Sequence, residues 1–252
     1  MIVDETIQKL IELRLATMAQ AFRQMLESPQ NHDLSFEDKL GMLVDREWLE
    51  RENRRVARRT KEAKLPIAAN IEEVIADPAR GIDKSVLRSL AACPWIKAKQ
   101  NIIVHGATGV GKSFLGASLA QTACRHGYRA LYVRVPRLVH HLGVARADGS
   151  YTSELARISR FDVLVLDDFL IAPMKDTERR DLLEVLEDRY DHSSTVITSQ
   201  VPPKSWHEAL ADPTIADAIC DRLVHNAHVL WLKGPSIRKK KGLDSKDQPT
   251  ST

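Results

Sequence analysis

The sequence predicts an α/β protein, with a parallel five-stranded sheet sandwiched by helices and preceded by a small all-helical domain. From about residue 98, short apolar runs alternate with helical patterns, which is typical of a parallel sheet covered on both faces. Residues 1 to about 64 show helical periodicity instead. Lys64-Leu65-Pro66 interrupts this periodicity. We therefore expect a helical domain over residues 1–66, the sheet domain over 67–240 and a disordered basic, polar tail over 241–252.

The helical domain is predicted from two apolar patterns. The first forms one helical stripe, made by Leu10, Leu13, Met18, Ala21, Phe22, Met25 and Leu26. The second begins at Leu34-Ser35-Phe36, where Ser35 is the expected cap and Asp38 takes the capping-box position. Such stripes most often form core or helix–helix contacts, so we assign this domain to packing and to binding of DNA or a partner.

The sheet is predicted from five strand-like runs separated by helical patterns. These runs are Asn101–His105, Ala130–Val135, Phe161–Leu166, Thr195–Ser199 and His228–Leu232. Ligands of open parallel sheets bind at the carboxyl ends of the strands. The first, third and fourth runs are each followed by polar or glycine residues, and these ends are where we expect the site.

A phosphate-binding loop follows the first strand. The pattern G-x-x-x-x-G-K-[ST] is matched by Gly106, Ala107, Thr108, Gly109, Val110, Gly111, Lys112 and Ser113. The strand before it and the helix after it, which begins near Phe114, supply the context that the motif requires. Backbone N–H groups and the helix dipole would hold the phosphates, Lys112 would reach the β- and γ-phosphates, and Ser113 would bind Mg²⁺. Residues 106–114 are therefore the predicted nucleotide site, with ATP and Mg²⁺ as cofactors.

The third strand ends in two carboxylates, Asp167 and Asp168. A buried strand that delivers an acid at its carboxyl end fits a Walker-B motif, in which Asp167 would hold the metal. Because side chains alternate along a strand, Asp168 would point elsewhere and could orient or deprotonate the attacking water. A turn cap is the alternative for this pair. At the end of the fourth strand, either Ser199 or Gln200 could contact the phosphate or the water, although turn formers are common there.

Composition excludes several classes of protein. The chain has 252 residues, 43% of them hydrophobic, enough for a sizeable core, and it has no apolar run long enough to span a membrane. Its N-terminus lacks the apolar region of a secretory signal, and its three cysteines are widely spaced, so we expect a cytoplasmic protein without disulfides. Cys220, His225 and His228 lie close in sequence but lack a fourth ligand, which argues against zinc.

Charge is unevenly distributed although the net charge is only +3. Residues 46–64 carry eight Lys or Arg against four Glu, and residues 233–252 carry six against two Asp. Clusters of this kind suit a polyanion partner, but a solvated helix face with Glu–Arg pairs would look the same.

Taken together, these motifs resemble those of the AAA+ ATPases, and more narrowly the IstB-type transposition helper ATPases, which are related to the DnaC-type helicase loaders. The resemblance covers about residues 10–240. Besides the phosphate loop, its segments are Leu34–Glu37, Val135–Leu138, Asp148–Tyr151, Leu164–Phe169, Arg179–Glu184, Leu186–Tyr190, Ile197–Gln200, Trp206–Glu208, Ala218–Ala227 and Leu232–Arg238.

The resemblance implies roles for three further residues. Arg222, in Asp221-Arg222-Leu223, matches the arginine finger that reaches the γ-phosphate of a neighbouring subunit, whereas an intramolecular salt bridge is the alternative. Arg238 matches a second phosphate-contacting arginine, and Gln200 matches the sensor on the fourth strand, where Asn is usual. The second acid is usually Glu where this chain has Asp168, which predicts slow hydrolysis.

The resemblance also implies a homo-oligomer with ATP sites at subunit interfaces. Its expected partners are duplex DNA, bound with little sequence specificity, and a DDE transposase that it recruits for insertion-sequence transposition. The expected DNA contacts are Arg54, Arg55, Arg58, Arg59, Arg137, Arg146 and Lys175. Two alternatives remain: a DnaC-like helicase loader acting on single-stranded DNA, and a scaffold that binds ATP without hydrolysing it.

Overall fold

The computed structural model describes residues 2–28 and 33–237. The chain forms two compact units that divide between Arg58 and Arg59. The sequence placed this boundary at residue 66, so the observed division falls within the last turns of a long helix. Arg238 and the predicted tail over residues 241–252 lie outside the described residues.

The first unit is helical. It contains α1 (Ile2–Glu12), α2 (Ala16–Glu27) and most of α3 (Phe36–Glu62). The prediction that residues from Leu10 to Leu26 form one helical stripe is wrong. The chain turns between α1 and α2 at Arg14, which has a φ of 60°. Leu13, at this turn, is 69% exposed. A periodicity count does not detect such a break when apolar residues continue on both sides of it.

Side-chain hydrogen bonds cap the start of α3 and connect α3 to α2. At the start of α3, Ser35 Oγ accepts a hydrogen bond from Asp38 N at 3.1 Å and donates to Asp38 Oδ2 at 2.8 Å, which is the expected cap. Farther along α3, the buried Glu47 accepts from Met18 N at 2.9 Å and from Arg51 Nε at 2.7 Å. Burial opposes the charge of Glu47, but these hydrogen bonds hold its pKa below its ordinary value. Glu47 therefore ties α2 to α3.

The second unit alternates strands and helices as predicted. After α4 (Lys84–Ala91) and the single turn α5 (Pro94–Lys97), the strands are β1 (Asn101–Gly106), β2 (Ala130–Arg134), β3 (Val163–Phe169), β4 (Ser194–Ser199) and β5 (Ala227–Leu232). The remaining helices are α6 (Lys112–Arg125), α7 (Val135–Asp148), α8 (Tyr151–Ser159), α9 (Asp176–Glu187), α10 (Trp206–Leu210) and α11 (Pro213–Val224).

The five strands form one parallel sheet in the order β2-β3-β4-β1-β5. The predicted fold class is therefore confirmed. The third strand differs in its bounds, because it starts two residues later than predicted and continues through both acids to Phe169. Because all the strands are parallel, the carboxyl ends of β1, β3 and β4 lie on the same side of the sheet.

Alternate residues of each central strand enter two separate cores. Ile102, Val165 and Val196 pack with α6 on one face, and Ile103 and Ile197 pack with α7, α9 and α11 on the other. Burial on both faces explains why the strands read as continuous apolar runs. At the β2 edge, Tyr132 N donates to Ala63 O at 2.8 Å, so the residue after α3 covers part of this edge.

Arg189 anchors the sheet near the amino ends of β3 and β4. It is 2% exposed, and its guanidinium donates to Ile158 O at 3.3 Å, Phe161 O at 2.8 Å and Ser194 O at 2.6 Å. Burial lowers the pKa of Arg189 to about 9. One side chain thus satisfies backbone carbonyls from α8, from the segment before β3 and from the start of β4.

Replacing Arg189 should destabilise the second unit. Arg189→Met keeps much of the volume but leaves several buried carbonyls without donors, and we expect a loss of about 3 kcal/mol or more in the free energy of unfolding. Urea denaturation monitored by circular dichroism measures it. Arg160→Met, at an exposed arginine nearby, is the control and should change stability by less than about 0.5 kcal/mol. Equal stability of the two variants would contradict the anchoring role.

Candidate functional site

The phosphate loop connects the end of β1 to the start of α6, and two of its glycines adopt conformations that disfavour other residues. Gly109 and Gly111 have φ values of 85° and 105°. A Cβ at Gly109 would collide with the Ser236 side chain, and Gly109 O accepts from Ile237 N at 2.9 Å. Gly111 is the residue before α6, so the loop delivers its N–H groups at a helix N-terminus.

Lys112 lies inside this loop and is only 8% exposed. Its Nζ donates to Gly106 O and to Ala107 O, each at 2.9 Å. The buried ammonium is therefore held by carbonyls of the loop itself, at the position where the motif places the β- and γ-phosphates. Negative phosphate oxygens would be stronger acceptors for it than neutral carbonyls.

The two predicted metal-binding residues contact each other directly. Ser113 Oγ donates to Asp167 Oδ1 at 2.9 Å, although the residues are 54 positions apart in sequence. Asp167 is 4% exposed, and its Oδ1 also accepts from Thr198 Oγ1 on β4. The hydroxyl of Ser113, in the first turn of α6, and the carboxylate of Asp167, on β3, thus lie side by side.

Asp168 points away from Asp167, but the cause is more than strand alternation. The β3–β4 pairing shifts register between Leu166 and Phe169, and Asp168 has a φ of 58°, a left-handed value that breaks the strand alternation. Its carboxylate Oδ2 lies 2.7 Å from both Nε and Nη2 of Arg134, the last residue of β2. In this structure Asp168 therefore forms an ion pair with Arg134.

Tyr132, two residues earlier on β2, is 6% exposed. Burial raises the pKa of the Tyr132 phenol, and the neighbouring Asp167 raises it further. The phenol is accordingly neutral and retains its proton at ordinary pH.

The two sensor candidates on β4 occupy different environments. Ser199 is fully buried, donates to Phe169 O at 2.8 Å and accepts from Val201 N at 3.1 Å. Gln200 is exposed, and its Oε1 accepts from Thr108 Oγ1 of the phosphate loop at 2.9 Å. The structure therefore brings Gln200, rather than the hydroxyl of Ser199, to the loop.

The residues fit ATP and Mg²⁺. Ser113 and Asp167 provide hard oxygen ligands of the kind that Mg²⁺ accepts, and one metal ion beside the loop would leave room in its shell for phosphate oxygens and water. Lys112 and the α6 N-terminus provide the matching positive charge. Next to the loop, burial and the Lys112 ammonium lower the pKa of His105, which favours its neutral form.

Arg222 lies near the amino ends of the strands, whereas the phosphate loop lies at their carboxyl ends. Asn101, the first residue of β1, donates through Nδ2 to Arg222 O at 2.9 Å, whereas the loop begins at the last residue of this strand. Five residues of strand separate these points by about 16 Å. The guanidinium pairs with Glu187 and donates to Ala218 O at 2.9 Å. It therefore cannot serve the loop of its own chain in this arrangement.

The expected DNA contacts differ in availability. Arg54 and Arg55 pair with Glu50 and Glu52 but keep more than half of their side-chain surface exposed. The remaining candidates are Arg58, Arg59, Arg137, Arg146 and Lys175, of which all but Arg59 are exposed.

Arg146 is the most strongly engaged of these candidates. Its Nε and Nη2 donate to Asp181 Oδ1 at 2.7 and 2.6 Å, and its guanidinium lies 3.8 Å above the centre of the Tyr151 ring. Asp181 is 2% exposed and also accepts from the Tyr151 hydroxyl at 3.0 Å. Arg146 therefore satisfies a buried carboxylate that joins α7, α8 and α9.

Sequence reasoning missed Tyr132, Arg134 and Thr198. All three are polar residues in otherwise apolar strands, and the alternation in Tyr132-Val133-Arg134 was a signal that two polar side chains share one face of β2. The acceptors of Arg134 and Thr198 could not be identified without the strand order, because only that order places β2 and β4 on either side of β3.

Comparison with known proteins gives the family. The sequence model of the IstB-like ATP binding proteins matches residues 8–245. An insertion sequence ATP-binding protein of Sinorhizobium fredii, y4pL, is 43% identical over 95% of this chain and 98% of its own length. The insertion sequence IS21 ATP-binding protein of Pseudomonas aeruginosa is 31% identical over 92% and 87%. This chain belongs to the IstB-like ATP binding protein family, which confirms the predicted resemblance.

Solved structures agree on the fold. The DnaC helicase loader superposes with a TM-score of 0.56 at 19% identity, covering 66% of this chain and 97% of the loader. AMPPCP-bound DnaA from Aquifex aeolicus gives a TM-score of 0.58 at 17% identity, covering 75% and 58%. These similarities support an AAA+ P-loop fold. Across residues 2–28 and 33–237, no helix has the length and apolar character needed to cross a membrane.

Proposed function

We propose that this chain is a Mg²⁺-dependent ATPase that assembles as a homo-oligomer on duplex DNA and recruits a DDE transposase to an insertion site. The observation that carries the ATPase part is the hydrogen bond between Ser113 Oγ and Asp167 at 2.9 Å, because it unites the phosphate loop with the acidic strand end. The relatives named as insertion sequence ATP-binding proteins support the transposition part.

Each residue of the site has a distinct proposed role. Lys112 and the loop N–H groups bind the phosphates, and Ser113 and Asp167 hold Mg²⁺, which neutralises phosphate charge when bound. Gln200 contacts the γ-phosphate or the attacking water from the end of β4. Arg238 is the second phosphate-contacting arginine implied by the family, two residues after Ser236, which lies against the loop.

Asp168 is the proposed general base, and its ion pair with Arg134 has a consequence for this role. Nε and Nη2 of Arg134 both lie 2.7 Å from Asp168 Oδ2, so they occupy this oxygen while the pair is formed. The pair must therefore open, or loosen, before Asp168 takes a proton from water. Together with the short Asp side chain, this restraint favours slow hydrolysis in the isolated chain.

The single-chain structure also supports a shared site. Arg222 lies about 16 Å from the loop along β1, so its guanidinium can contact a γ-phosphate only in another copy. Release from Glu187 would be needed, and a partly exposed ion pair of this kind costs little to exchange. A helicase loader is the second candidate, favoured only by the DnaC likeness in fold.

Substitution of Asp168 separates binding from chemistry. Asp168→Asn should retain ATP binding but reduce hydrolysis on the order of a hundredfold or more, because the general base is lost. Lys112→Ala is the comparison, since losing a charge-assisted contact should weaken ATP binding roughly tenfold to a hundredfold. Phosphate release and fluorescent-nucleotide titration, each with and without DNA, provide the two measurements. Parental hydrolysis by Asp168→Asn would remove Asp168 from the chemistry, and no hydrolysis by the parent would favour the scaffold alternative.

Mixing two inactive variants tests the shared site. Arg222→Ala should bind ATP normally as a subunit but lose hydrolysis, because it cannot complete its neighbour's site. Lys112→Ala should lose its own site but still offer Arg222. Mixed together, the two variants should recover part of the parental rate, whereas either variant alone should not. Hydrolysis at the parental rate by a species shown to be monomeric would contradict the role in trans.

Salt dependence tests the DNA contacts. Binding should weaken with salt with a slope near −0.9 per neutralised phosphate and depend little on sequence. Replacing Arg54, Arg55, Arg58 and Arg59 with Ala should flatten this slope, because exposed Glu–Arg pairs exchange readily for phosphates. A matched control removes four other exposed charges, Lys84, Arg88, Lys97 and Arg160. If both quadruple variants keep the parental slope in fluorescence anisotropy, the contacts must be sought at Arg137 and Lys175.

A further inference from the structure

We propose that Arg80 is a positioning residue of the phosphate loop, whose guanidinium turns one backbone N–H of the loop toward the bound phosphates. This inference rests on the proposed function, because it assigns a residue to the same nucleotide site. Arg80 belongs to neither the phosphate loop nor the acidic strand end, but to the short turn Pro78–Arg80 before α4.

The first support is a hydrogen bond from Arg80 to the loop. Arg80 Nη2 donates to Val110 O at 2.9 Å, although the residues are 30 positions apart in sequence. In a planar trans peptide group, the C=O of one residue and the N–H of the next point in opposite directions. The bond that holds Val110 O therefore also directs the Gly111 N–H away from Arg80. In the described part of the chain this N–H donates to no other residue, so it is available to a phosphate oxygen.

The second support is that the main chain of Arg80 is itself held in place. Lys233 N, just after β5, donates to Arg80 O at 2.9 Å, and Arg80 N donates to Asp77 O at 2.9 Å. The next residue, Gly81, has a φ of 83°, and a Cβ there would collide with Trp231 O. Arg80 thus lies against the end of β5 and reaches the loop from a fixed base, which is what accurate positioning requires.

The third support is a neighbouring contact between the loop and the segment after β5. Ile237 N donates to Gly109 O, the carbonyl before that of Val110, at 2.9 Å. A Cβ at Gly234, in the same segment, would lie 3.5 Å from Arg80 Nη1, so the guanidinium also lies next to this segment. Two successive carbonyls of the loop are therefore bound by groups that lie outside it. This arrangement holds the loop in shape before a nucleotide binds.

Arg80 and Lys112 hold different carbonyls of the loop. Lys112 Nζ bonds to the first two, and phosphates would compete for it because they are stronger acceptors. Arg80 bonds to Val110 O, which points away from the N–H that faces the phosphates, so this contact can persist when nucleotide binds. An arginine that acted only through its charge would instead attract phosphates from a distance, and salt would screen that attraction.

The test measures binding of a fluorescent ADP analogue in EDTA, so that metal binding by Ser113 and Asp167 plays no part. Arg80→Met removes the donor, and we expect binding to weaken roughly tenfold or more, because the Gly111 N–H is no longer held toward the charged phosphates. Arg80→Lys keeps a donor of similar reach and should recover most of the affinity. Arg88→Met, at an exposed arginine of α4, is the matched control and should bind as the parent does.

Two further measurements separate positioning from charge and from folding. The titration is repeated in about 1 M salt, where the Debye length is about 3 Å, and the loss in Arg80→Met should persist. NMR of the nucleotide-free protein, isotopically labelled in its glycines, reports on the amide itself. The Gly111 signal should shift in Arg80→Met and return toward the parental position in Arg80→Lys. The signals of Gly143, within α7, and Gly149, at its end, should stay unchanged.

Each other outcome overturns the proposal. Parental affinity in Arg80→Met, or a loss that disappears at high salt, would show that Arg80 does not position the loop. A shift of all glycine signals without recovery in Arg80→Lys would show a general effect on the fold. A parent that binds no nucleotide would instead overturn the proposed function, and with it this inference, so the two failures are distinguishable.

Discussion

The site depends on one contact, the hydrogen bond between Ser113 and Asp167 at the carboxyl ends of the strands. These residues lie in α6 and β3, which are separated in sequence by one strand, β2, and two helices, α7 and α8. They meet only because β4 lies between β1 and β3, with the strands parallel and their ends level. Burial of both sheet faces fixes this arrangement, since a slip of one residue would move every side chain to the wrong core.

Sequence was sufficient for the parts of the site that depend on local pattern. The glycine loop, Lys112 and the two acids follow strands whose apolar character was evident, and all of them lie at one edge as expected. Sequence was insufficient wherever a contact crosses between strands. Arg134 and Thr198 are ordinary strand residues until the order β2-β3-β4 places them beside Asp168 and Asp167. The left-handed backbone at Asp168 is equally hidden, because its cause is a register shift against β4.

The number of charged residues was the least informative feature of the sequence, because it does not distinguish arginines with a structural role from those available to a polyanion. Arg189 and Arg146 contribute to a positive total, but one satisfies buried carbonyls and the other satisfies the buried Asp181. Neither contribution is visible from spacing. Arg54 and Arg55, by contrast, form exposed pairs with Glu residues of the same helix, which compensate charge without burying it. Burial of the partner therefore separates arginines with a structural role from those that remain available to a polyanion.

The positions of the phosphate loop and Arg222 also constrain how copies can assemble. The loop lies at the carboxyl ends of the strands, and Arg222 lies near their amino ends, at the start of β1. If Arg222 completes a site in trans, the contacting surfaces of two copies differ, and the interface is heterologous rather than two-fold. Repetition of such an interface gives a ring or an open helix. Either form would place equivalent surfaces along a duplex, so that modest phosphate contacts from each copy add to binding that requires no base-specific contact.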